Sequence, residues 1–202
     1  MEVLPEHSRT SASSFAKLES ARQFYLAGGT AAALYLGHRI SGDLDFFSQK
    51  EFDESFLISA LAASGDFQLE QKATQSVLGI LSGTKMSFLG YPYPLLSPLQ
   101  EFGTLRIADI HDIACMKIDA VSARGARRDF IDLYFILTTI TPFSKILPLF
   151  EKKYASLTYN LMHVKKSLVY FSDAEEEPMP NMLKPVQWEK VKLFFEHEVK
   201  RL

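Results

Sequence analysis

Short runs of apolar residues, some of them alternating with polar residues, recur through the first half of the chain. A run of about four to eight apolar residues, or alternation with a period of two, is typical of β-strands. The predicted strands are Phe24–Ala27, Asp43–Phe47, Phe67–Gln71, Val77–Leu81, Met86–Leu89 and Leu105–Ala108. Glycine residues separate several of these runs, which favours a small sheet.

The second half of the chain shows helical spacing of its apolar residues instead. Helices are predicted there at Asp112–Val121, Ala126–Thr139, Phe143–Tyr154, Asn160–Phe171 and Val186–Val199. Two further helices are predicted in the first half, at Ala31–Leu36 and Phe52–Ala63. Thr30 is the expected N-cap of the first of these, and Gly37 is its expected left-handed C-cap.

This order of elements predicts an α/β (α+β) fold, with a small mixed sheet and flanking helices followed by a helical subdomain. We expect residues 1–105 to form the α/β core and residues 106–202 to form a helical subdomain that completes a cleft. The proline-rich stretch Tyr91–Pro98 is predicted to be the joining loop, and the acidic stretch Asp173–Pro180 an exposed linker. The pair Lys152–Lys153 is interpreted as part of a solvated surface, with an RNA-facing surface as the alternative.

Composition and charge narrow the class of protein. The chain has 202 residues, of which 47% are hydrophobic and 23% are charged, with a net charge of −2. This composition excludes a disordered chain, and the near-neutral total removes the bulk electrostatic argument for a nucleic-acid coat protein or a membrane-surface binder. The charge is unevenly distributed along the chain, however. Residues 1–105 carry 7 basic and 11 acidic side chains, whereas residues 106–172 carry 10 basic and 6 acidic side chains. A local basic surface for RNA therefore stays open.

Cysteine usage and the hydrophobic segments bear on location. Cys115 is the single cysteine, which excludes an internal disulfide and a cysteine-rich zinc site. The N-terminal residues are acidic and lack the apolar core of a secretory signal, and no apolar run reaches the roughly 18 residues of a membrane span. We therefore expect a cytoplasmic protein with no membrane partner.

Candidate chemistry is concentrated in two short segments, Gly28-Gly29-Thr30 and Asp43-Leu44-Asp45. The glycines lie between a predicted strand and a predicted helix, where backbone N–H groups bind anions. Asp43 and Asp45 lie on one face of a strand, about 7 Å apart along it. Mg²⁺ commonly binds through one or two carboxylates together with substrate phosphates. A phosphate cradle beside a carboxylate pair predicts nucleotidyl transfer.

The residues between these two segments are also rich in phosphate-binding types. Arg39 is suited to a bidentate phosphate contact, and His38 and Ser41 are further candidates. Each segment alone has a simpler explanation, since a Gly-Gly pair is usually a turn and an Asp-x-Asp motif is usually a solvated strand end. Their expected position at the same region of the sheet favours the functional interpretation.

Residues 26–34 and 37–47 together resemble the nucleotidyltransferase-fold proteins of the AbiEii/AbiGii toxin type, within the DNA polymerase β-like nucleotidyltransferase superfamily. That superfamily has a Gly-Gly or Gly-Ser turn, a spacer, and an Asp-x-Asp or Asp-x-Glu motif. The spacer here comprises the 13 residues from 30 to 42. The resemblance covers roughly residues 20–140 and resumes at Lys85–Phe88, Tyr91–Pro94, Asp109–Lys117 and Arg124–Leu133.

The resemblance also implies functional residues in the helical half. Lys117 is expected to face the nucleotide, and Asp129 best matches the family's functional acid, with Arg128 and Asp132 as nucleotide-binding candidates. Simpler explanations also exist. Lys117 is alternatively a lysine that snorkels beside an apolar face, and Arg128 and Asp132 alternatively form a surface ion pair at i,i+4 spacing. Asp132 is alternatively expected to hold Arg128 or Lys117 in place.

The number of metal ions stays open at this point. Many members of the superfamily carry a third carboxylate on a later strand, where this chain has Ser87 and no acid. Either Asp43 and Asp45 form the whole metal site, or Asp129 completes it from a helix.

Taken together, the resemblance implies an Mg²⁺- or Mn²⁺-dependent nucleotidyltransferase toxin of an AbiE-type toxin–antitoxin system. Asp43 and Asp45 are its expected metal ligands, and these two acids together with Lys117 and Asp129 are its expected catalytic residues. The expected nucleotide-binding residues are Gly28, Gly29, Thr30, His38, Arg39, Ser41, Arg128 and Asp132.

The substrate classes follow from the same resemblance. A nucleoside triphosphate would donate its nucleoside monophosphate to an acceptor, by resemblance an RNA such as the 3′ end of a tRNA, and a separately encoded antitoxin would protect the cell. Two alternatives stay open: nucleotide transfer to a protein or a small molecule, and a non-catalytic protein that binds nucleoside triphosphates as a regulator.

Overall fold

A seven-stranded mixed sheet forms the centre of the protein in a computed structural model, which describes residues 3–157 and 159–201. The strands are β1 Tyr25–Ala27, β2 Leu44–Ser48, β3 Phe67–Ala73, β4 Ser76–Leu81, β5 Thr84–Gly90, β6 Gln100–Phe102 and β7 Leu105–Ile107. They lie in the order β3-β4-β5-β2-β1-β7-β6. The six predicted strands are confirmed, and β6 is an additional short edge strand whose residues are all exposed.

Helices flank the sheet and make up most of the second half of the chain. They are α1 Glu6–Ala16, α2 Gly28–Leu36, α3 Glu54–Ser64, α4 Ile110–Arg124, α5 Arg127–Thr139, α6 Phe143–Lys153, α7 Leu161–Ser167, α8 Ser172–Glu176 and α9 Trp188–Val199. The sequence pattern predicted neither α1 nor α8, and α8 occupies the start of the expected acidic linker. Within the described residues, no single helix is long and apolar enough to cross a membrane, and α5 and α6 reach that length only as a pair bent by 120°.

Strand β2 lies inside the sheet, parallel to β5 and antiparallel to β1. Leu44 and Phe46 are buried, while Asp45 between them is partly exposed, so the predicted alternation is confirmed. The ring of Phe46 packs against Phe15 of α1 at 4.5 Å and Phe88 of β5 at 5.4 Å between centroids. An aromatic core on one face of the sheet therefore fixes which face presents the carboxylate.

Helix α2 begins earlier than predicted. It starts at Gly28 with Ala27 as N-cap, and no side chain caps it, so the predicted capping role of Thr30 is wrong. Thr30 instead donates a hydrogen bond to the backbone carbonyl of Asp43, and its hydroxyl lies 2.8 Å from that of Ser41. Since the glycines already belong to the first helical turn, Thr30 ties that turn to the loop carrying Asp43.

A buried ion pair joins the proline-rich loop to the helical half. Lys153 Nζ lies 2.6 Å from Asp112 Oδ1 and 2.8 Å from the carbonyl oxygen of Pro94, and both charged side chains are fully buried. Asp112 also accepts a hydrogen bond from the backbone N–H of Leu96. The interpretation of Lys153 as part of a solvated surface is therefore wrong, although Lys152 beside it is exposed.

Candidate active site

The glycines and the carboxylates meet where β1 gives way to α2. Asp45 pairs with Ala27 of β1 on one side and with Ser87 of β5 on the other. Gly28 has a φ of +71°, and a Cβ at this position would lie 3.0 Å from Asp45 Oδ2. Glycine therefore provides both the left-handed backbone and the space that the Asp45 carboxylate occupies.

Two adjoining cavities, of about 320 and 390 Å³, form one cleft above this point. Gly29, Asp45, Lys117 and Arg124 line both of them. We call the first the apolar lobe; its other lining residues are Gly28, Phe47, Leu89, Tyr91, Met116, Asp119, Ala120, Ala123 and Asp129. We call the second the polar lobe; its other lining residues are Thr30, Arg39, Ile40, Ser41, Gly42, Asp43, Lys85, Ser87 and Arg128.

Helix α4 places Lys117 at the border of the two lobes, opposite Asp45. Its Nζ lies 2.7 Å from Asp129 Oδ1 and 2.6 Å from Asp132 Oδ2, and the residue is 3% exposed. Burial alone would lower the pKa of Lys117, but Asp132 and Asp129 outweigh it and raise the pKa. Lys117 is therefore a permanent positive charge facing the acidic strand.

Asp132 is the centre of a buried charge network. Arg39 donates to it from Nε at 2.7 Å and from Nη2 at 2.9 Å, and His38 Nε2 lies 2.8 Å away. Burial would raise the pKa of Asp132, but Lys117, Arg39 and His38 together lower it below the usual range. Gly29 makes this possible, since a Cβ there would lie 2.4 Å from Arg39 Nη2.

This network changes three of the expected roles. His38 and Asp132 are completely buried and line neither lobe, so the structure places them behind the cleft, and their contact with a nucleotide stays a prediction. Arg39 lines the polar lobe, but its Nε and Nη2 already donate to Asp132, so that edge of the guanidinium faces the buried acid and not the cleft. The alternative in which Asp132 holds Lys117 agrees with the geometry, and these residues position the groups that line the cleft.

Asp129 is buried beside the cleft, with both of its oxygens occupied. Oδ1 accepts from Lys117, and Oδ2 accepts from Arg124 Nε at 2.7 Å. Burial would raise the pKa of Asp129, but Lys117 and Arg124 lower it. Asp129 therefore stabilises two cations, and each of its oxygens already accepts a hydrogen bond from one of them.

Arg124 was not among the predicted site residues, although it lines both lobes. It ends α4, and Gly125 in the left-handed region turns the chain into α5, so Arg124 reaches Asp129 five residues later. Five-residue spacing does not match a helix face, which is why the pairing was missed. Arg128, in contrast, is exposed at the polar lobe and makes no ion pair with Asp132 within the residues that the structure describes.

Asp43 and Asp45 are the cleft's candidate metal ligands. Asp43 is exposed and Asp45 half-buried. Burial raises the pKa of Asp45, although a hydrogen bond from Ser87 and the charge of Lys117 oppose the rise. Across residues 3–157 and 159–201, no group of three or more His, Cys, Asp or Glu side chains could hold a metal ion. Any cation here would therefore bind through two carboxylates, with the remaining positions open to substrate and water.

Comparison with known proteins gives a consistent result. A family model described as Nucleotidyl transferase AbiEii toxin, Type IV TA system, matches residues 12–94. The uncharacterized protein aq_aa25 of Aquifex aeolicus is 35% identical over 205 residues, covering 99% of this chain and 98% of that protein.

Solved structures share the fold. A candidate nucleotidyltransferase from H. pylori superposes with a TM-score of 0.58 at 18% identity, covering 96% of this chain and 92% of the other. MenT4, described as a nucleotidyltransferase toxin from Mycobacterium tuberculosis, superposes with a TM-score of 0.59 at 12% identity. The superposition covers 97% of this chain and 85% of MenT4. These likenesses confirm the predicted nucleotidyltransferase fold. The family match shows that the chain belongs to the AbiEii nucleotidyl transferase toxin family.

Proposed function

We propose that this protein transfers a nucleoside monophosphate from a nucleoside triphosphate to RNA, such as the 3′ end of a tRNA. The observation that carries the proposal is the single cleft in which Asp43 and Asp45 face Lys117 and Arg124. An acceptor hydroxyl attacks the α-phosphate, a new P–O bond forms, the bond to the β-phosphate oxygen breaks, and pyrophosphate leaves. The proton of the hydroxyl passes to water.

The carboxylate pair fits a hard divalent cation. Asp43 and Asp45 offer oxygen ligands only, and the raised pKa of Asp45 indicates a carboxylate whose charge the protein compensates incompletely. We therefore assign Asp43 and Asp45 to hold Mg²⁺ or Mn²⁺, which would supply charge neutralisation for the phosphates.

The chain's own residues then bind and orient the triphosphate. The charge network contains the buried cations Lys117 and Arg39 and the exposed Arg124, against the two anions Asp129 and Asp132, so it carries a surplus positive charge beside the cleft. The first turn of α2, at Gly28 and Gly29, lies at the same border. A preorganised positive surface with backbone N–H groups stabilises the charge that develops on the transferring phosphate.

The polar lobe is the side suited to an RNA acceptor. Lys85 and Arg128 are both exposed there, next to Asp43, and in the described part of the chain neither forms an ion pair. Exposed basic side chains of this kind bind phosphate groups. We further propose that the reaction takes place in the cytoplasm and that a separately encoded antitoxin opposes it, as membership of a toxin family suggests.

Incubation with each α-labelled nucleoside triphosphate, Mg²⁺ and total RNA tests the proposal. The wild type is expected to label RNA, and Asp43→Ala to reduce labelling by at least about 100-fold. Glu70→Ala, which removes an exposed acid from β3, is the matched control and is expected to retain activity. Label in protein or in a small molecule would overturn the RNA acceptor, and nucleotide binding without any transfer would overturn catalysis.

A further inference from the structure

The apolar lobe contains one charged group that the proposed reaction does not use, the carboxylate of Asp119. Lys117, Arg124 and Asp45 line both lobes, and Asp129, which lines the apolar lobe, is already paired with Lys117 and Arg124. Asp119 lies on α4 and lines the apolar lobe alone. A carboxylate among Phe47, Met116 and other apolar residues is costly unless donors reach it.

One side of this carboxylate is already held. Tyr159 donates its hydroxyl to Asp119 Oδ1, and the hydrogen bond, together with burial, raises the pKa of Tyr159. Within the part of the chain that the structure describes, no other residue hydrogen-bonds to Asp119, so Oδ2 has its full acceptor capacity available. The half-buried side chain is therefore oriented by Tyr159 with one oxygen unused.

The rest of the lobe is lined largely by apolar side chains, which suits an uncharged ring system. Its volume of about 320 Å³ lies at the lower end of the range for small-molecule sites. Ala120 and Ala123 on α4 leave room opposite Phe47 and Tyr91, and the Tyr91 hydroxyl is taken by Tyr154. Asp119 is thus the acceptor that an occupant of this lobe can reach away from the phosphates.

Resting on the proposed function, we propose that the apolar lobe holds the nucleoside of the incoming nucleoside triphosphate and that Asp119 is its specificity-determining residue. The free oxygen accepts a hydrogen bond from an N–H of the base or an O–H of the ribose. Tyr159 is a positioning residue that fixes the carboxylate. A nucleoside without a donor at this place leaves one oxygen of the half-buried carboxylate without a partner, and this is the source of discrimination.

Calorimetric binding of the four α,β-methylene nucleoside triphosphates and their 2′-deoxy forms tests the inference on the full chain without an acceptor. Asp119→Ala is expected to weaken binding of the preferred nucleotide by about tenfold or more. If the base donates the hydrogen bond, Asp119→Ala should bind the four nucleotides with nearly equal affinity. If the ribose donates it, Asp119→Ala should bind the ribo and deoxy forms with nearly equal affinity. Tyr159→Phe is expected to reduce the same difference in affinity by a smaller factor than Asp119→Ala does. Circular dichroism should show that the fold of this variant is intact.

The matched control is Glu151→Gln, which removes an exposed acid from α6 and is expected to leave all ratios unchanged. If the wild type binds nucleotides while Asp119→Ala and the isosteric Asp119→Asn keep its affinities and ratios within twofold, the role of Asp119 is overturned and the proposed function stands. If the wild type binds none of the nucleotides, both are overturned.

Discussion

Lys117 Nζ lies 2.6 Å from Asp132 Oδ2. Lys117 lines the cleft, whereas Asp132 is completely buried behind it, so a buried acid holds a cleft residue in place. The same carboxylate holds Arg39, which follows β1 and α2 in the chain, whereas Lys117 comes from the helical half. One buried acid therefore connects charged residues from both halves of the chain at the cleft. The charges are complementary, and removing either partner leaves the other buried with its charge only partly compensated.

Replacement of this acid, Asp132→Asn, is expected to lower the free energy of unfolding by about 3–5 kcal/mol, because it leaves Lys117 and Arg39 without their shared anion. The pKa of Asp132 is lower in the folded protein than in the unfolded chain. Its contribution is therefore complete above the unfolded value of about 3.9 and is lost as the pH falls below it. Urea unfolding at several pH values should show a difference from wild type that shrinks in acid; a constant difference would contradict this account.

Gly29→Ala is expected to displace the Arg39 guanidinium, since the new Cβ would lie 2.4 Å from Nη2. We expect a loss of about 1–3 kcal/mol in stability and weaker nucleotide binding. Gly37→Asn is the control: Gly37 has a φ of +58° with open space where a Cβ would lie, and Asn tolerates this conformation. Thermal melts of both variants provide the measurement. If Gly29→Ala melts at the same temperature as Gly37→Asn, a Cβ at position 29 does not clash with Arg39.

Lys153→Met and Lys152→Met form a matched pair of adjacent substitutions. Lys153 is buried against Asp112, so its loss should cost about 3–5 kcal/mol and expose the loop at Pro94–Leu96 to proteolysis. Lys152 is exposed, and its loss should stay within about 0.5 kcal/mol. Limited proteolysis and urea unfolding provide the measurement. Similar behaviour of the two variants would argue against the buried pair.

Mn²⁺ binding by the apoprotein is expected to strengthen as the pH rises. The metal needs an ionised Asp45, whose pKa is raised by burial, so protons compete with the ion at pH values above the usual range for aspartate. Electron paramagnetic resonance of free Mn²⁺ can follow binding from about pH 5 to pH 8. Asp45→Asn should remove both the binding and its pH dependence, while Glu70→Gln should change neither. Binding in Asp45→Asn equal to wild type would exclude this metal site.

Local patterns were sufficient to predict the strand carrying Asp45 and the left-handed end of α2 at Gly37. Alternation along β2 is imposed by the aromatic core beneath Phe46, so the face of the carboxylate follows from a few neighbouring residues. The placement of Lys117 at the cleft followed only from the resemblance, because no short-range pattern connects a helix to a strand 72 positions earlier.

Pairings across long stretches of chain could not be predicted in the same way. Asp132 and Arg39 are 93 residues apart, and the sequence offered Arg128, one helical turn away, as a nearer partner. Lys153 and Asp112 are 41 residues apart, and a lysine pair is usually solvated. Such pairs form through tertiary packing, which a local sequence pattern does not show. The residue types of Arg39 and His38 suggested contact with a ligand, but in the structure both residues hold Asp132.

The division of the cleft between early and late parts of the chain has a consequence for synthesis. A growing polypeptide presents Gly28, Gly29, Asp43 and Asp45 long before Lys117 and Asp132 leave the ribosome. Until Asp132 is available, Arg39 has no internal anion, and Lys117 is not yet opposite the acidic strand. The nascent chain therefore lacks the assembled cleft until more than half of the chain has been made, and the proposed nucleotide transfer has to wait for the helical half.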